Sequence, residues 1–261
     1  MKRLPIILCC LVLIALIGGY FIYINRTSNA HNAKTIGEIP LPNGFVRVPA
    51  EANSFAEYLR SLPLKSRGAK VNLYNSSRIA NYQWLSSGVV DLPLLSNDEQ
   101  CADVCMRLYA EYLFRHGRYN DICFTALDGE HLRYEGGDNR KAFEKFMRQV
   151  FGRCNTTSLY SSLSERKLED IQIGDMFIYP HHRSYGRSYY GHAIMVVDIA
   201  IAPQTGEKIF LLVEGNTPAR DIHILRNKNP FCNPWYKHDA DADVIQLLCY
   251  RFQNNQLRHF K

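Results

Sequence analysis

Three residues in this chain have the side-chain types that thiol-dependent catalysis needs. In such sites a thiolate attacks a carbonyl carbon, an imidazole carries the proton, and a carboxylate holds the imidazole through its other nitrogen. The chain offers Cys101, His192 and Glu214 in that order. We therefore expect these residues to act as nucleophile, base and orienting group if the fold brings them together.

The strand pattern predicts that His192 and Glu214 meet at one end of a sheet. His192 opens the apolar run GHAIMVVD at 191–198, and Glu214 closes the apolar run at 208–214. Both runs have the composition of buried strands, and Thr205-Gly206 between them is typical of a turn. In an antiparallel hairpin, the start of the first strand lies beside the end of the second. A histidine that faces water and a solvated acid at a strand end remain the alternative interpretations.

Cys101 lies near the start of a predicted core helix. Ser96 and Glu99 form a capping-box pattern, and apolar residues then recur at three- and four-residue spacing as far as Gly117. A thiol near a helix amino terminus is stabilised as a thiolate by the peptide dipoles. A helix that begins at Ser96 places Cys101 about five positions inside it, where core packing beside Cys105 explains the cysteine equally well.

Further polar and aromatic residues are candidates for the rest of a site. The Gln100 side chain and the Cys101 backbone N–H are the candidate donors to an oxyanion. Asn216 is an alternative to Glu214 in the orienting role. A tyrosine-rich loop is the candidate surface for binding a saccharide or a peptide, and its other interpretation is a shield over an edge strand. The candidate binding residues of this loop are Tyr185, Tyr189 and Tyr190.

The sequence predicts neither a metal site nor a cofactor. The adjacent histidines at 181–182 point apart and lack a spaced carboxylate, which is typical of a surface loop rather than a metal site. The sequence contains no Cys-x-x-Cys pair, no Gly-rich phosphate loop, no HExxH and no GxSxG motif. Six cysteines lie beyond residue 24, and their spacing does not choose among the disulfide pairings that export would permit.

The period of the apolar pattern predicts an α+β fold. Helices are predicted after Ser54, from Ser96 to Gly117, over 139–151 and after Thr157. Strands are predicted at 71–74, 89–95, 176–179, 192–199, 208–214 and 244–252. Because helices come first and a strand meander follows, the order is that of an α+β protein rather than an alternating α/β one.

The amino-terminal residues have the pattern of a membrane anchor. Residues 4–24 are apolar almost without interruption, and at about 1.5 Å per residue a helix of that length spans a hydrocarbon core of about 30 Å. Lys2 and Arg3 favour an amino end inside the cell, so we expect an exported domain, periplasmic or extracellular. A signal peptide cleaved near residues 28–30 stays open as an alternative. The predicted division is an anchor or signal at 1–24, a tether at 25–38 and one domain at 39–261.

The charge distribution gives no sign of a nucleic-acid partner. The formal net charge is +6, but four basic residues and no acidic ones lie before residue 35, which leaves +2 for 35–261. No basic stripe of the kind that nucleic acid requires is visible. We expect the partners to be the membrane, through residues 4–24, and a substrate in the cell envelope.

Several longer segments carry a family resemblance, among them IPLPNGF, SFAEYLRSLPL, QCADVCMRLYAEYL, IGDMFI, GHAIMVVD and TGEKIFLL. Over Ile39–Tyr250 the chain resembles the bacterial family described as domain of unknown function 4846. More distantly, the order of a cysteine helix, a Gly-Asp strand and a Gly-His strand resembles the papain-like amidases and peptidases of bacterial cell walls, including the CHAP group. That resemblance implies Cys101 as nucleophile, His192 as base and Glu214 as orienting acid. It also implies a papain-like core, in which a central helix packs on an antiparallel sheet.

We therefore expect a membrane-anchored envelope protein with one papain-like α+β domain. If the domain is an enzyme, the expected activity is that of a cysteine peptidase or amidase acting on peptidoglycan peptides or another envelope substrate. A catalytically inactive binding module of the same fold and a scaffold subunit that docks a protein partner through its tyrosine-rich loop are the alternatives.

Overall fold

An antiparallel sheet organises the chain in a computed structural model that describes residues 9–19, 32–76, 78–184, 187–229 and 234–261. The strands are β1 (Val46–Arg47), β2 (Ser86–Val89), β3 (Cys123–Thr125), β4 (His131–Arg133), β5 (Ser164–Glu165), β6 (Met176–Tyr179), β7 (His182–Ser184), β8 (Arg187–Tyr189), β9 (His192–Ile201), β10 (Lys208–Glu214), β11 (His223–Leu225), β12 (Tyr236–Lys237), β13 (Val244–Gln246), β14 (Arg251–Gln253) and β15 (Leu257–His259). The helices are α1 (9–19), α2 (Phe55–Ser61), α3 (Cys101–Arg115), α4 (Arg140–Arg153) and α5 (Thr156–Ser162).

The main sheet has the strand order β2-β11-β10-β9-β6-β15-β5, with β1 beside β9 and β12 beside β10. Every pairing in it is antiparallel. Separate hairpins are formed by β3–β4, β7–β8 and β13–β14. Helices packed on a large antiparallel sheet confirm the α+β class that the sequence predicts.

The central strand β9 is buried on both faces of the sheet. Ala193, Met195 and Val197 belong to the main core, which includes the helices, whereas Ile194 and Val196 belong to a second core on the other face. This explains why the strand is continuously apolar instead of alternating with polar residues. The predicted strands at 176–179 and 208–214 occur with those bounds. The strand predicted at 192–199 begins as predicted and extends to Ile201.

The predicted start of the central helix at Ser96 is wrong, because α3 begins at Cys101. Ser96 Oγ accepts a hydrogen bond from the backbone of Asp98 at 3.2 Å and so closes a local turn. The Glu99 carboxylate does not complete the capping box. It is fully buried and bound instead by Arg107 and by the backbone N–H of Leu95.

The segment before Cys101 is fixed by a buried ion pair between Glu99 in that segment and Arg107 in α3. Arg107 Nη1 donates to both oxygens of Glu99, at 2.8 and 3.0 Å, and to the backbone carbonyl of Pro93 at 2.8 Å. The Arg107 side chain is 2% exposed and that of Glu99 is fully buried. A buried pair of this kind also needs its remaining hydrogen-bonding groups satisfied. The loop backbone at Pro93 and Leu95 supplies partners, and Arg107 Nε donates to Glu111 Oε1 at 3.3 Å. The loop conformation therefore depends on the pair.

The other predicted elements differ from the structure in detail. The helix predicted over 139–151 is α4, for which Asn139 is the cap through a bond from Ala142 N, and the helix predicted after Thr157 is α5, which is capped by Asn155. The strand predicted at 71–74 forms only isolated bridges. The strand predicted at 244–252 is broken into the hairpin β13–β14, with a turn closed by the bond from Leu247 N to Tyr250 O.

The predicted anchor at 1–24 is described only at 9–19 and the predicted tether at 25–38 only at 32–38. Residues 9–19 are helical. Within the described part of the chain, no helix combines the length and apolar character needed to span a membrane. Ile36 lies in the short 3-10 helix Ile36–Glu38 and is fully buried in the main core, so the packed domain includes this residue.

Replacing Arg107 with methionine tests the buried pair. The change leaves the Glu99 carboxylate buried without its cation, so the free energy of unfolding should fall by about 3–5 kcal/mol. Guanidinium denaturation at pH 7 measures this loss.

The matched control is the double variant Glu99→Gln with Arg107→Met. It removes both charges, so it should lose clearly less stability than Arg107→Met alone. An equal loss in the two variants would show that packing around Arg107 and its contact with Glu111, rather than the unpaired Glu99 carboxylate, account for the effect.

Candidate active site

Polar residues from four neighbouring strands gather at one end of the main sheet. Tyr179 at the end of β6 pairs with His192 at the start of β9, and Glu214 at the end of β10 pairs with His223 at the start of β11. β9 and β10 are themselves antiparallel neighbours. The strand starts and ends therefore meet here, as the sequence predicts for His192 and Glu214.

His192 is held between Glu214 and Cys101. Its Nε2 lies 2.7 Å from Glu214 Oε2, and both residues are buried. Burial alone would lower the pKa of this imidazole, but side-chain hydrogen bonds with Cys101 and Glu214 and their charges raise it to about 9. Because Nε2 is occupied by the carboxylate, Nδ1 is the ring nitrogen left for the thiol.

Glu214 is a fully buried carboxylate that remains charged. Its Oε1 lies 3.2 Å from His223 Nε2 and 3.3 Å from the Tyr250 hydroxyl. Burial would raise its pKa, but hydrogen bonds from His192 and His223 and the charges of both rings lower it to about 2. The carboxylate therefore uses one oxygen for His192 and the other for His223 and Tyr250.

Cys101 is the first residue of α3, where the positive end of the helix dipole lies. Gln100 is the N-cap, and its backbone N–H donates to Asp103 Oδ2 at 3.0 Å. Burial raises the pKa of Asp103 well above its ordinary value. Cys105, one turn further on, is fully buried with a strongly raised pKa because of that burial. The two cysteines on the apolar stripe thus have different surroundings.

Two glycines allow the elements of the site to approach each other. A Cβ at Gly215 would lie 2.5 Å from Val104 Cγ2 and 3.1 Å from the Gln100 carbonyl oxygen. A Cβ at Gly191 would lie 2.6 Å from the Tyr179 carbonyl oxygen. Such contacts are too short for any side chain, so the start of α3 can lie against the end of β10 only with glycine there.

Gln100 and Asn216 lie around this cluster in supporting positions. Gln100 Oε1 accepts a hydrogen bond from Thr217 Oγ1 at 2.6 Å, which leaves its NH₂ group as a donor. Asn216 Nδ2 donates to the Tyr250 hydroxyl at 2.8 Å and lies 3.5 Å from Glu214 Oε1. Asn216 therefore supports the carboxylate, and Glu214 is the residue that binds His192.

The tyrosine-rich loop contributes to a groove of about 840 Å³ beside the cluster. Tyr189 and Tyr190 line it together with Tyr179, and both are exposed. The Tyr189 ring stacks on His182 with centroids 5.0 Å apart. Tyr185, the third tyrosine predicted to bind substrate, lies outside the described residues.

The sequence interpretation missed His223 and Tyr250. The run DIHIL at 221–225 has the pattern that singled out His192, a histidine that begins a short apolar strand, so His223 could have been found. Tyr250 stacks on the His192 ring with centroids 4.2 Å apart and planes 17° apart. No sequence signal marks it, because it lies in the turn of a hairpin that the sequence predicts as one strand.

The fold and site define an α+β protein with a cysteine, a histidine and a glutamate at one end of a large antiparallel sheet. The chain belongs to the family described as domain of unknown function (4846), whose model matches residues 36–136 and 135–259. The first segment contains Cys101, and the second contains His192 and Glu214. No curated protein and no solved structure matches the chain.

The pKa values of the His192–Glu214 pair predict a pH-dependent stability. The histidine contribution is complete below the ordinary pKa of 6.5 and is lost as pH rises through about 9. The glutamate contribution is present above 4.5 and is lost as pH falls through about 2. The pair therefore stabilises the fold most between about pH 4.5 and pH 6.5. We expect the free energy of unfolding to fall by a few kcal/mol, on the order of 3, between pH 6.5 and 9.5.

Glu214→Gln should flatten this fall, because the imidazole loses the carboxylate that helps to raise its pKa. Denaturation at pH 5.5, 7.5 and 9.5 measures the difference from the unsubstituted chain. Glu169→Gln, which removes one partner of an exposed pair with Lys167, is the matched control and should keep the fall. An unchanged slope in Glu214→Gln would contradict the assigned coupling.

Proposed function

We propose that this protein is a thiol-dependent amide hydrolase of the bacterial cell envelope. One observation carries the proposal: Cys101 begins α3, which packs on β9 and β10, and His192 at the start of β9 is held through Nε2 by Glu214 at the end of β10. The raised pKa of His192 has Cys101 as well as Glu214 among its causes. A nucleophile, a base and an orienting group in this relation are the parts that acyl transfer through a thiol requires.

The proposed reaction begins with attack of the Cys101 thiolate on the carbonyl carbon of a substrate amide. The negative oxygen that forms would accept hydrogen bonds from the Cys101 backbone N–H and the Gln100 side chain. The His192 imidazolium gives its proton to the leaving nitrogen, so the C–N bond breaks and a thioester remains. Water, deprotonated by His192, then attacks the thioester, releases the carboxylic acid and restores the thiolate–imidazolium pair.

Glu214 and Tyr250 would keep the imidazole in the working orientation. The carboxylate fixes Nε2 through a 2.7 Å contact, and the tyrosine ring covers one face of the imidazole. A ring held in this way keeps Nδ1 directed at the thiol through both proton transfers. Removing either support should therefore reduce the rate more than it reduces substrate binding.

A papain-like core is part of the proposal. Its support is the helix α3, which carries the cysteine at its start and packs on β9 and β10, the strands that carry the histidine and the glutamate. The amino-terminal apolar run at 4–24 supports anchoring in the membrane with the domain exported. An envelope location would bring peptidoglycan peptides within reach as substrates.

Labelling with a fluorescent iodoacetamide, mapped by mass spectrometry, tests the proposal. Cys101 is only 8% exposed and Cys249 is exposed, so accessibility alone predicts faster labelling of Cys249. If His192 maintains a thiolate, Cys101 should react about tenfold faster than Cys249. His192→Ala should remove that advantage, and His131→Ala, which changes an exposed histidine on β4, should not.

Uniform labelling, or labelling of Cys101 only after denaturation, would contradict the hydrolase. That outcome would leave a binding module of the same fold. If the protein is instead a scaffold subunit, Tyr189→Ala with Tyr190→Ala would abolish co-purification of its partner. Cys101→Ala would leave that co-purification unchanged.

A further inference from the structure

We infer that the groove beside the candidate active site binds a peptide through a free carboxylate, with Arg251 as the recognising group. The inference rests on the proposed function and specifies its substrate class. The groove volume of about 840 Å³ lies within the range of small-ligand sites. The space suits a short peptide rather than a single amino acid.

The groove adjoins the candidate active site at Tyr179. This residue lines the groove, and its ring centroid lies 6.5 Å from that of His192. Tyr179 also pairs with His192 across β6 and β9. A ligand lying along the groove therefore has one end beside the strand that begins with the candidate base.

The walls of the groove supply flat aromatic surfaces and hydrogen-bond donors. On one side, Tyr189 is held against His182 by ring stacking, and Tyr190 is 88% exposed beside it. On the other side, Gln256 Oε1 already accepts from the backbone of Gln253 at 2.9 Å, which leaves its NH₂ group as a donor. These are contacts that a peptide backbone can use.

The charge of the groove determines which peptide fits. Arg251 lines it, no aspartate or glutamate is among the residues that do, and within the described ranges Arg251 forms no ion pair. A guanidinium binds a carboxylate through two parallel hydrogen bonds, which gives orientation as well as affinity. The matching ligand group is a carboxylate.

The position of Arg251 limits where that carboxylate lies in the peptide. Arg251 directly follows Tyr250, whose ring covers His192. Because the two residues are consecutive, we expect the recognised carboxylate to lie close along the peptide to the amide to be cleaved. Peptidoglycan peptides carry carboxylates on closely spaced residues, whereas uncharged segments do not.

The test is binding without turnover, measured by calorimetry on the full chain carrying Cys101→Ala. The probe is the synthetic stem tripeptide L-Ala-γ-D-Glu-meso-diaminopimelate, compared with the same tripeptide after its carboxylates are converted to amides. We expect the acid form to bind about tenfold more tightly than the amide form. Adding Arg251→Gln should weaken binding of the acid form by about the same factor and leave the amide form unchanged. Arg183→Gln, which changes an exposed arginine on β7 outside the groove, is the control and should change neither.

The outcomes separate this inference from the proposed hydrolase. If the acid form does not bind, or if Arg251→Gln affects both forms equally, the carboxylate site is wrong even when Cys101 shows preferential labelling. If Arg251-dependent binding occurs while labelling of Cys101 is not preferential, the groove stands and the hydrolase does not.

Discussion

A carboxylate with no exposure to water lies at the end of the central pair of strands, and the surroundings of the site are arranged to satisfy it. Glu214 is removed from solvent completely, which would ordinarily favour its neutral form. Two imidazoles and a tyrosine hydroxyl converge on its two oxygens and reverse that preference. The adjacency of β9, β10 and β11 is what allows His192 and His223 to approach it from opposite sides. A different strand order would leave a buried charge without partners, at a cost of several kcal/mol.

The same carboxylate connects the sheet to the helix. His192 has one nitrogen committed to Glu214, so the other is available to whatever lies at the start of α3. Close approach of α3 depends on Gly215, and the loop leading into the helix is held by the Glu99–Arg107 pair. The candidate site therefore depends on a buried ion pair and a glycine that lie outside the set Cys101, His192 and Glu214.

The sequence predicts the sheet end of the site better than the helix end. The residues that begin β9 and end β10 follow from apolar runs bounded by turn residues, because strand burial and strand length are visible along the chain. The start of α3 was predicted wrongly, because a capping box is a local pattern and Glu99 is bound by Arg107 eight residues later. The Glu99 side chain is bound by Arg107 and therefore cannot form the capping box that its spacing from Ser96 suggests.

Site residues that lie in the turn of a hairpin are the hardest to predict from the sequence. Tyr250 reaches His192 from a hairpin turn, and nothing in its neighbours distinguishes it from other tyrosines in the chain. His223 differs, since it repeats the pattern of His192 as a histidine that begins a short apolar strand. A buried carboxylate has two oxygens, and each requires a partner. Because one oxygen of Glu214 is bound by His192, the other oxygen requires a further donor at the same end of the sheet. His223, at the start of β11, supplies that donor.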